Sequence, residues 1–203
     1  TMSVTSSPRL PFDVVDEASP VRAWSEAWEQ ALYGPAGFFL REVPLEHFRT
    51  NAAVPLFASA VRRLAGLVEL ALGCPDPFDV VDLGAGRGEL LAALSDVPAR
   101  WRLTSVDLAP GMRPDVPVVE GLLLANEWLD SVPLDVLVDG RLVLVGPDGT
   151  EQLGEPEPSA WADTWWPGGG RVEVGASRDR AWAAAVSRVR RGLAVGVDYG
   201  HVL

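Results

Sequence analysis

The sequence contains no lysine, so all seventeen of its basic side chains are arginine. Against twenty-eight acids they leave a formal charge of −11. Such a surface argues against non-specific attraction to nucleic acid or an anionic membrane and favours a cationic partner. A single cysteine, Cys74, excludes an internal disulfide and a cysteine-rich zinc site, and it fits a reducing compartment. The only histidines, His47 and His201, have no metal-like companions beside them, so no metal is assigned. No stretch approaches the roughly 20 apolar residues of a membrane span. The opening TMSVTSSPRLPFDVVDE has no apolar core of signal-peptide type. These absences lead to the expectation of a soluble, cytoplasmic protein with no nucleic-acid or membrane partner. Its oligomeric state is not legible, and no internal repeat is visible.

What is present is 48% hydrophobic over 203 residues, ample for one domain with a sizeable core. Residues 1–19 are rich in Ser and Pro. Ser19 as a cap, Pro20 at the first position, Trp24, Trp28 and Leu32 at spacing four and Gly34 beyond predict a helix over about 20–33. A second helix is expected over about 54–73, with Leu56, Ala60, Leu64, Leu67 and Ala71 keeping the apolar period. An α/β region then begins, with strand 78–83, helix 88–95, strand 101–107 and a buried strand from Glu120 that runs into a polar turn and Pro133. Val136–Val138 and Leu142–Val145 read as a hairpin turned at Asp139–Gly140. Residues 147–170, with PDG, PEP and PGGG, read as loop. A short strand, a helix over about 177–191 ended by Gly192 and a last apolar strand reaching Asp198, Tyr199 and Gly200 follow. Alternation of strand and helix predicts an α/β, Rossmann-like, doubly wound and mostly parallel sheet in residues 76–203. Residues 1–75 would form a helical cover, and a hairpin insertion would occupy about 134–170.

The stretch FDVVDLGAGRGELL, Phe78 to Leu91, carries the first chemical signal. A strand ends in Asp82, and Gly84, Ala85, Gly86 and Gly88 form a tight turn before a helix. Glycine there allows positive φ and lets a ligand reach the backbone, while a helix N-terminus presents free N–H groups. A dinucleotide fold asks for G-x-G-x-x-G, but the place of its third glycine is held by Glu89. An acid ending strand one can face the cationic amino-acid part of S-adenosyl-L-methionine (SAM). An acid ending strand two, here Asp107, can accept both ribose hydroxyls. SAM is therefore preferred over NAD as the cofactor. The alternative is that Asp82 caps a turn and Asp107 merely stops a strand.

The second signal is ANEWLDSVPLD, residues 125–135, at the end of the buried strand and so at the same sheet edge as the glycine turn. Asn126, Glu127 and Asp130 there could hold a substrate amine or guanidinium by accepting from its N–H groups. Methyl transfer needs alignment and an electron-rich nucleophile more than acid–base machinery. The alternative is a polar turn in which Asp130 caps a helix.

Taken together, several pieces resemble the MidA family, which includes the mitochondrial complex I assembly methyltransferase and its bacterial relatives. They are Tyr33-Gly34-Pro35, Gly37-Phe38-Phe39, His47-Phe48-Arg49-Thr50, the Asp82–Gly88 turn, Asn126-Glu127-Trp128-Leu129-Asp130 with Pro133, and Asp198-Tyr199-Gly200. The resemblance implies a SAM-dependent class I methyltransferase and, in the mitochondrial branch, one that methylates an arginine of a protein partner. It implies that residues 33–50 cover the cleft, with Gly37, Phe39 and Thr50 lining the site, whereas by sequence alone Phe38 and Phe39 are core aromatics. Two departures stand out. Only fourteen residues, 108–121, separate Asp107 from Leu122, fewer than such proteins use for their third strand and its helix. The sequence also stops soon after Asp-Tyr-Gly, where the family continues with its last strands. A non-catalytic SAM-binding assembly protein and an NAD-dependent oxidoreductase stay open beside the methyltransferase.

Overall fold

The computed structural model describes residues 21–42, 50, 52, 54–94, 96–107 and 115–199. Ser19, Pro20, His47, Phe48, Arg49, Gly200 and His201 lie outside them. The described residues form two sheets.

The described residues begin with Val21 and β1, Arg22–Ala23, whose residues pair antiparallel with Val145 and Leu144. The first helix, α1, is therefore Trp24–Tyr33 rather than about 20–33, since the groups at 22–23 are taken into a sheet ladder. A four-residue helix, α2 (Phe38–Arg41), and a long helix, α3 (Pro55–Ala71), follow. Proline at the start of α3 costs no hydrogen bond, because the first N–H groups of a helix have no internal partner. The expected helix exists, but its inward face is Ala58, Val61, Ala65 and Val68. Leu56 and Leu67, expected on that face, are 78% and 57% exposed. Small and β-branched residues let α3 lie close on the sheet, and the bulkier leucines are turned outward.

The parallel sheet consists of β2 (Phe78–Leu83), β3 (Trp101–Val106), β4 (Val119–Asn126) and β9 (Val189–Val197), in the order β3-β2-β4-β9. Every residue of β2 is buried, as a central strand covered on both faces requires. Alternate residues point to opposite faces. Phe78, Val80, Leu122 and Leu124 meet α3 and the short helix α4, Glu89–Ala93. Val81, Leu83, Leu123 and Ala125 meet Ala185 and Trp182 of α6, Ala176–Val186. Helices on both faces make the sheet doubly wound. Full burial of such a Leu or Phe side chain contributes about 1.5–3 kcal/mol.

At the amino end of this sheet Asp79, buried, accepts from Arg102 Nε at 2.6 Å and from the Glu120 N–H at 2.9 Å. Beside it Gly121 and Gly192 sit back to back. A Cβ on Gly121 would lie 2.0 Å from the Asp79 carbonyl oxygen, and one on Gly192 would lie 1.9 Å from that of Gly121. Gly192 thus belongs to the middle of β9 and does not end a helix. The expected helix over about 177–191 stops at Val186, and Arg190 and Arg191 belong to the strand, where Arg190 pairs with Glu120.

The antiparallel sheet contains β1, β5 (Val136–Val138), β6 (Arg141–Val145), β7 (Glu151–Pro156) and β8 (Arg171–Glu173). Its hairpin forms where expected, with Asp139 and Gly140 at φ 49° and 75°, the twist of a type I′ turn. Residues 147–170 are not simply loop. They hold β7, paired with β6, and α5, Ala160–Trp165, which Ser159 caps by accepting from the Ala162 N–H. The glycines and prolines of that stretch mark its turns, and the free edge of β6 supplies the strand partner. Beyond it β8 pairs antiparallel with β5, Leu137 opposite Val172. Trp24 and Trp28 of α1 pack on Leu134, Val136 and Val143, so α1 and the antiparallel sheet share one hydrophobic cluster.

Candidate functional site

In the parallel sheet the chain leaves β2 toward β3 and then crosses back to β4 on the other side. The crevice between the carboxyl ends of β2 and β4 is therefore the topological switch point, where ligands of such folds bind. A cavity of about 1780 Å³ opens there.

The glycine turn forms one side of the cavity. Gly84, Gly86 and Gly88 all have positive φ, at 75°, 58° and 89°. The N–H groups of Gly84 and Ala85 both donate to the Val106 carbonyl, at 2.9 and 3.2 Å, and the Gly86 N–H donates to Asp107 Oδ2 at 2.8 Å. At Gly84 a Cβ would lie 2.8 Å from the indole of Trp128. Glycine is thus required there by packing as well as by conformation. Helix α4 begins one residue later than expected and ends at Ala93, with Gly88 as its left-handed cap.

The sequence-derived residues fall into two groups. Gly84, Ala85, Gly86, Asp107, Thr50, Phe39, Asn126, Glu127 and Asp130 line the cavity. Asp82, Gly88 and Gly37 are not part of its wall. Gly37 serves packing, because a Cβ there would lie 2.5 Å from the Leu32 carbonyl oxygen. Asp82 shares the face of β2 with Phe78 and Val80 and is 3% exposed. Burial first, then the charges of Asp107 and Glu89, push its carboxyl up to about 7.

Opposite the turn, β4 ends in Asn126 and the chain reverses. Asn126 is 7% exposed, and its Oδ1 has no hydrogen-bond partner among the described residues. A buried acceptor left unpaired costs about 1–3 kcal/mol. Glu127 has φ 52°, a conformation non-glycine residues adopt only under constraint. Its N–H is held by the Val197 carbonyl at 2.8 Å, and its Oε1 accepts from the Tyr199 hydroxyl at 3.1 Å. The one-turn helix Leu129–Ser131 follows. Burial and then the Asp198 charge hold the Asp130 carboxyl above the usual range, opposed by the Ser131 hydroxyl.

The wall is acidic. Glu29, Glu42, Glu89, Asp107, Glu127 and Asp130 all contribute to it, against Arg87 and Arg188, and clustered charge of one sign attracts a ligand of the other. Tyr33 of α1 donates to the Ser131 carbonyl at 2.9 Å, and its hydroxyl is pushed up to about 12 by burial and the nearby carboxylates. Tyr33, Trp128, Asp198 and Tyr199 also build this site, and the sequence signals them only through their place in the Tyr-Gly-Pro, Asn-Glu-Trp and Asp-Tyr-Gly pieces.

A parallel, doubly wound sheet with a glycine turn at its switch point defines a Rossmann-like fold of the class I type. No protein-family model matches the chain, and neither does any curated protein. Among solved structures it is similar to a COG1565 superfamily member from Burkholderia thailandensis, an inferred methyl transferase bound to S-adenosyl-homocysteine. The TM-score is 0.67 at 21% identity, over 89% of this chain and 59% of that one. The chain therefore spans about three-fifths of the length of that protein, and at this identity the likeness speaks for the fold.

Proposed function

We propose that the chain binds SAM and is a methyltransferase of a cationic nitrogen, with an arginine side chain of a protein as the substrate. The observation that carries this reading is that Asn126, Glu127 and Asp130 line one cavity with the glycine turn and Asp107, the Oδ1 of Asn126 being buried without a partner among the described residues. The residues fit the cofactor. Asp107 ends β3 beside the turn and is suited to a ribose diol, and the positive-φ glycines leave the backbone open to close approach. Asp82, buried behind the turn, supplies negative potential for an ammonium or sulfonium. The Burkholderia neighbour, bound to the demethylated form of this cofactor, supports the same reading, as does the resemblance to the MidA family.

Bound there, SAM would supply an electrophilic methyl group on a cationic sulfur. The chain's own contribution is orientation. Asn126 Oδ1 accepts one N–H of the incoming nitrogen group, and Glu127 and Asp130 accept others, which fixes a guanidinium and raises electron density on its nitrogens; the nitrogen that takes the methyl group would pass its proton to the Glu127 carboxylate. Phe38, Phe39 and Thr50 of the cover line the same cavity.

Calorimetry with SAM and with NADH separates the cofactor classes, and binding of NADH in place of SAM overturns the reading. Transfer of labelled methyl from SAM to arginine-containing protein in a lysate tests the reaction. It should be lost in Glu127→Ala with SAM affinity unchanged. SAM binding without any transfer would instead identify a non-catalytic assembly protein.

A further inference from the structure

Between β4 and β9 lies an arrangement that neither the cofactor nor the substrate contacts explain. Asp198, just beyond the end of β9, turns its carboxylate back across the sheet edge. Oδ2 accepts from the N–H groups of Leu129 at 2.9 Å and Asp130 at 3.2 Å, and Oδ1 accepts from the Tyr199 N–H at 2.9 Å. One side chain therefore satisfies two donors at the start of the one-turn helix Leu129–Ser131 and one in its own strand extension. No residue of that helix has a side-chain cap of its own, and Trp128, at its N-cap position, makes none. The next residue extends the same bracket, because the Tyr199 hydroxyl donates to Glu127 Oε1 at 3.1 Å.

We propose that Asp198 is a positioning residue that sets the geometry of the substrate-facing pair Glu127 and Asp130, with Tyr199 as its second arm. The proposal rests on the methyltransferase reading of that pair, but its geometric content can be tested without activity.

The physical case is one of constraint. Glu127 at φ 52° stays in that conformation only if both sides of it are tied down. On one side its own N–H is held by Val197. On the other, two charge-assisted bonds to Asp198 fix the turn two and three residues later, and such bonds are roughly twice as strong as neutral ones. Tyr33 on the Ser131 carbonyl and Arg178 on the Asp130 carbonyl, at 3.4 Å, hold the far end. Asp198 also acts through its charge. The groups facing Asp130 are Asp198, Glu127, Arg178, Ser131, Tyr33 and Tyr199, and after burial the Asp198 charge is the largest influence raising its carboxyl.

Two substitutions separate the roles. In Asp198→Asn the side chain keeps an acceptor for the turn but loses its charge, so the Asp130 carboxyl should titrate at lower pH. The acid limb of the turnover profile should move down with it. In Asp198→Ala both are lost, and turnover should fall about tenfold or more while SAM affinity stays within about twofold, since misplacement of reacting groups acts on the chemical step. Carbon-13 NMR of labelled aspartate reads the Asp130 titration directly, and amide shifts of Leu129 and Asp130 report the capping bonds. Both spectra can be recorded on protein with no turnover at all. An Asp130 titration that is the same in wild type and Asp198→Asn, or amide shifts unmoved in Asp198→Ala, overturns the proposal. If the NMR effects are present but no variant and no wild type transfers methyl groups, the positioning stands and the reaction reading falls.

Discussion

The backbone N–H of Gly86 lies 2.8 Å from Oδ2 of Asp107, so the glycine turn and the end of the neighbouring strand are one hydrogen-bonded unit. The carboxylate that is suited to a ribose is thus oriented by the same backbone that must let the ligand approach. Asp107→Ala removes both that brace and the acceptor, and bonds to a charged group are worth about 1.5–3 kcal/mol each. The expected result is SAM affinity weakened about 10- to 100-fold by calorimetry, with a loss of stability no larger than that of the one bond to Gly86, about 1.5–3 kcal/mol. Affinity equal to wild type would place the cofactor elsewhere.

Asp82 predicts a pH dependence. Its carboxyl is raised in the folded protein to about 7, whereas the unfolded chain ionises near 3.8. The folded state therefore binds more protons between those values, and this group's contribution to stability is greatest below the lower value and declines as pH rises through the window. Denaturant melts of wild type and Asp82→Asn should diverge in favour of the variant from about pH 4 to pH 7 and run parallel above. A cation bound near Asp82 favours its ionised form, so SAM binding near pH 6 should release a proton in wild type and none in Asp82→Asn. Buffers of different ionisation enthalpy read that proton.

The glycines separate into structural and neutral positions. Gly192→Ala places a methyl group 1.9 Å from the Gly121 carbonyl oxygen, which only a shift of β9 against β4 can relieve. We expect a loss above about 3 kcal/mol or insoluble protein, as for other strained backbone sites. Gly66, in the middle of α3, has nothing within 4 Å of an added Cβ. Gly66→Ala should gain about 0.5–1 kcal/mol, the helix propensity difference. Equal stability of the two variants, measured by urea unfolding, is the outcome that contradicts this assignment.

How much of this could be read from the chain depends on whether the information was local. The strand Phe78–Leu83, its glycine turn and the Asp139–Gly140 hairpin are specified by residues next to one another, and the structure has them within a residue or so of expectation. Helix α3 was legible as a helix but not in its orientation. Its sequence is apolar on most sides, so a period exists for Leu56, Ala60, Leu64 and Leu67 as well as for Ala58, Val61, Ala65 and Val68, and only the closeness of the sheet chooses the second set. Strand β7 depends on the edge of β6, and Gly192 on the backbone of Gly121. Neither partner is near in sequence. The site divides in the same way. Asn126, Glu127 and Asp130 are readable as polar residues ending a buried strand, while the parts of Tyr33 and Asp198 come from bonds spanning 98 and 69 positions.

The orientation of α3 yields a prediction of its own. Leu67, 57% exposed, should tolerate Leu67→Gln with a change within about 0.5 kcal/mol. Val61, 4% exposed and packed over the sheet, should lose about 1–3 kcal/mol as Val61→Ala. Thermal melts that rank the two in the opposite order would restore the leucine face to the core.

Asn126 brings stability and function into opposition. Its Oδ1 is buried without a partner among the described residues, so the ligand-free protein gains nothing from that oxygen and bears the cost of desolvating it. In Asn126→Ala that cost disappears, against a cavity of a few atoms. The ligand-free melting temperature should therefore stay level or rise by a few degrees, a change of about 0–1 kcal/mol. Turnover should fall about 10²-fold or more, because an acceptor aimed at a reacting nitrogen contributes by alignment. Replacement of most buried polar residues costs stability and activity together; here only activity should be lost. Differential scanning calorimetry beside single-turnover assays of the same preparation decides the matter, and a large drop in melting temperature would mean that Asn126 is a structural residue of β4 rather than the acceptor that receives the substrate.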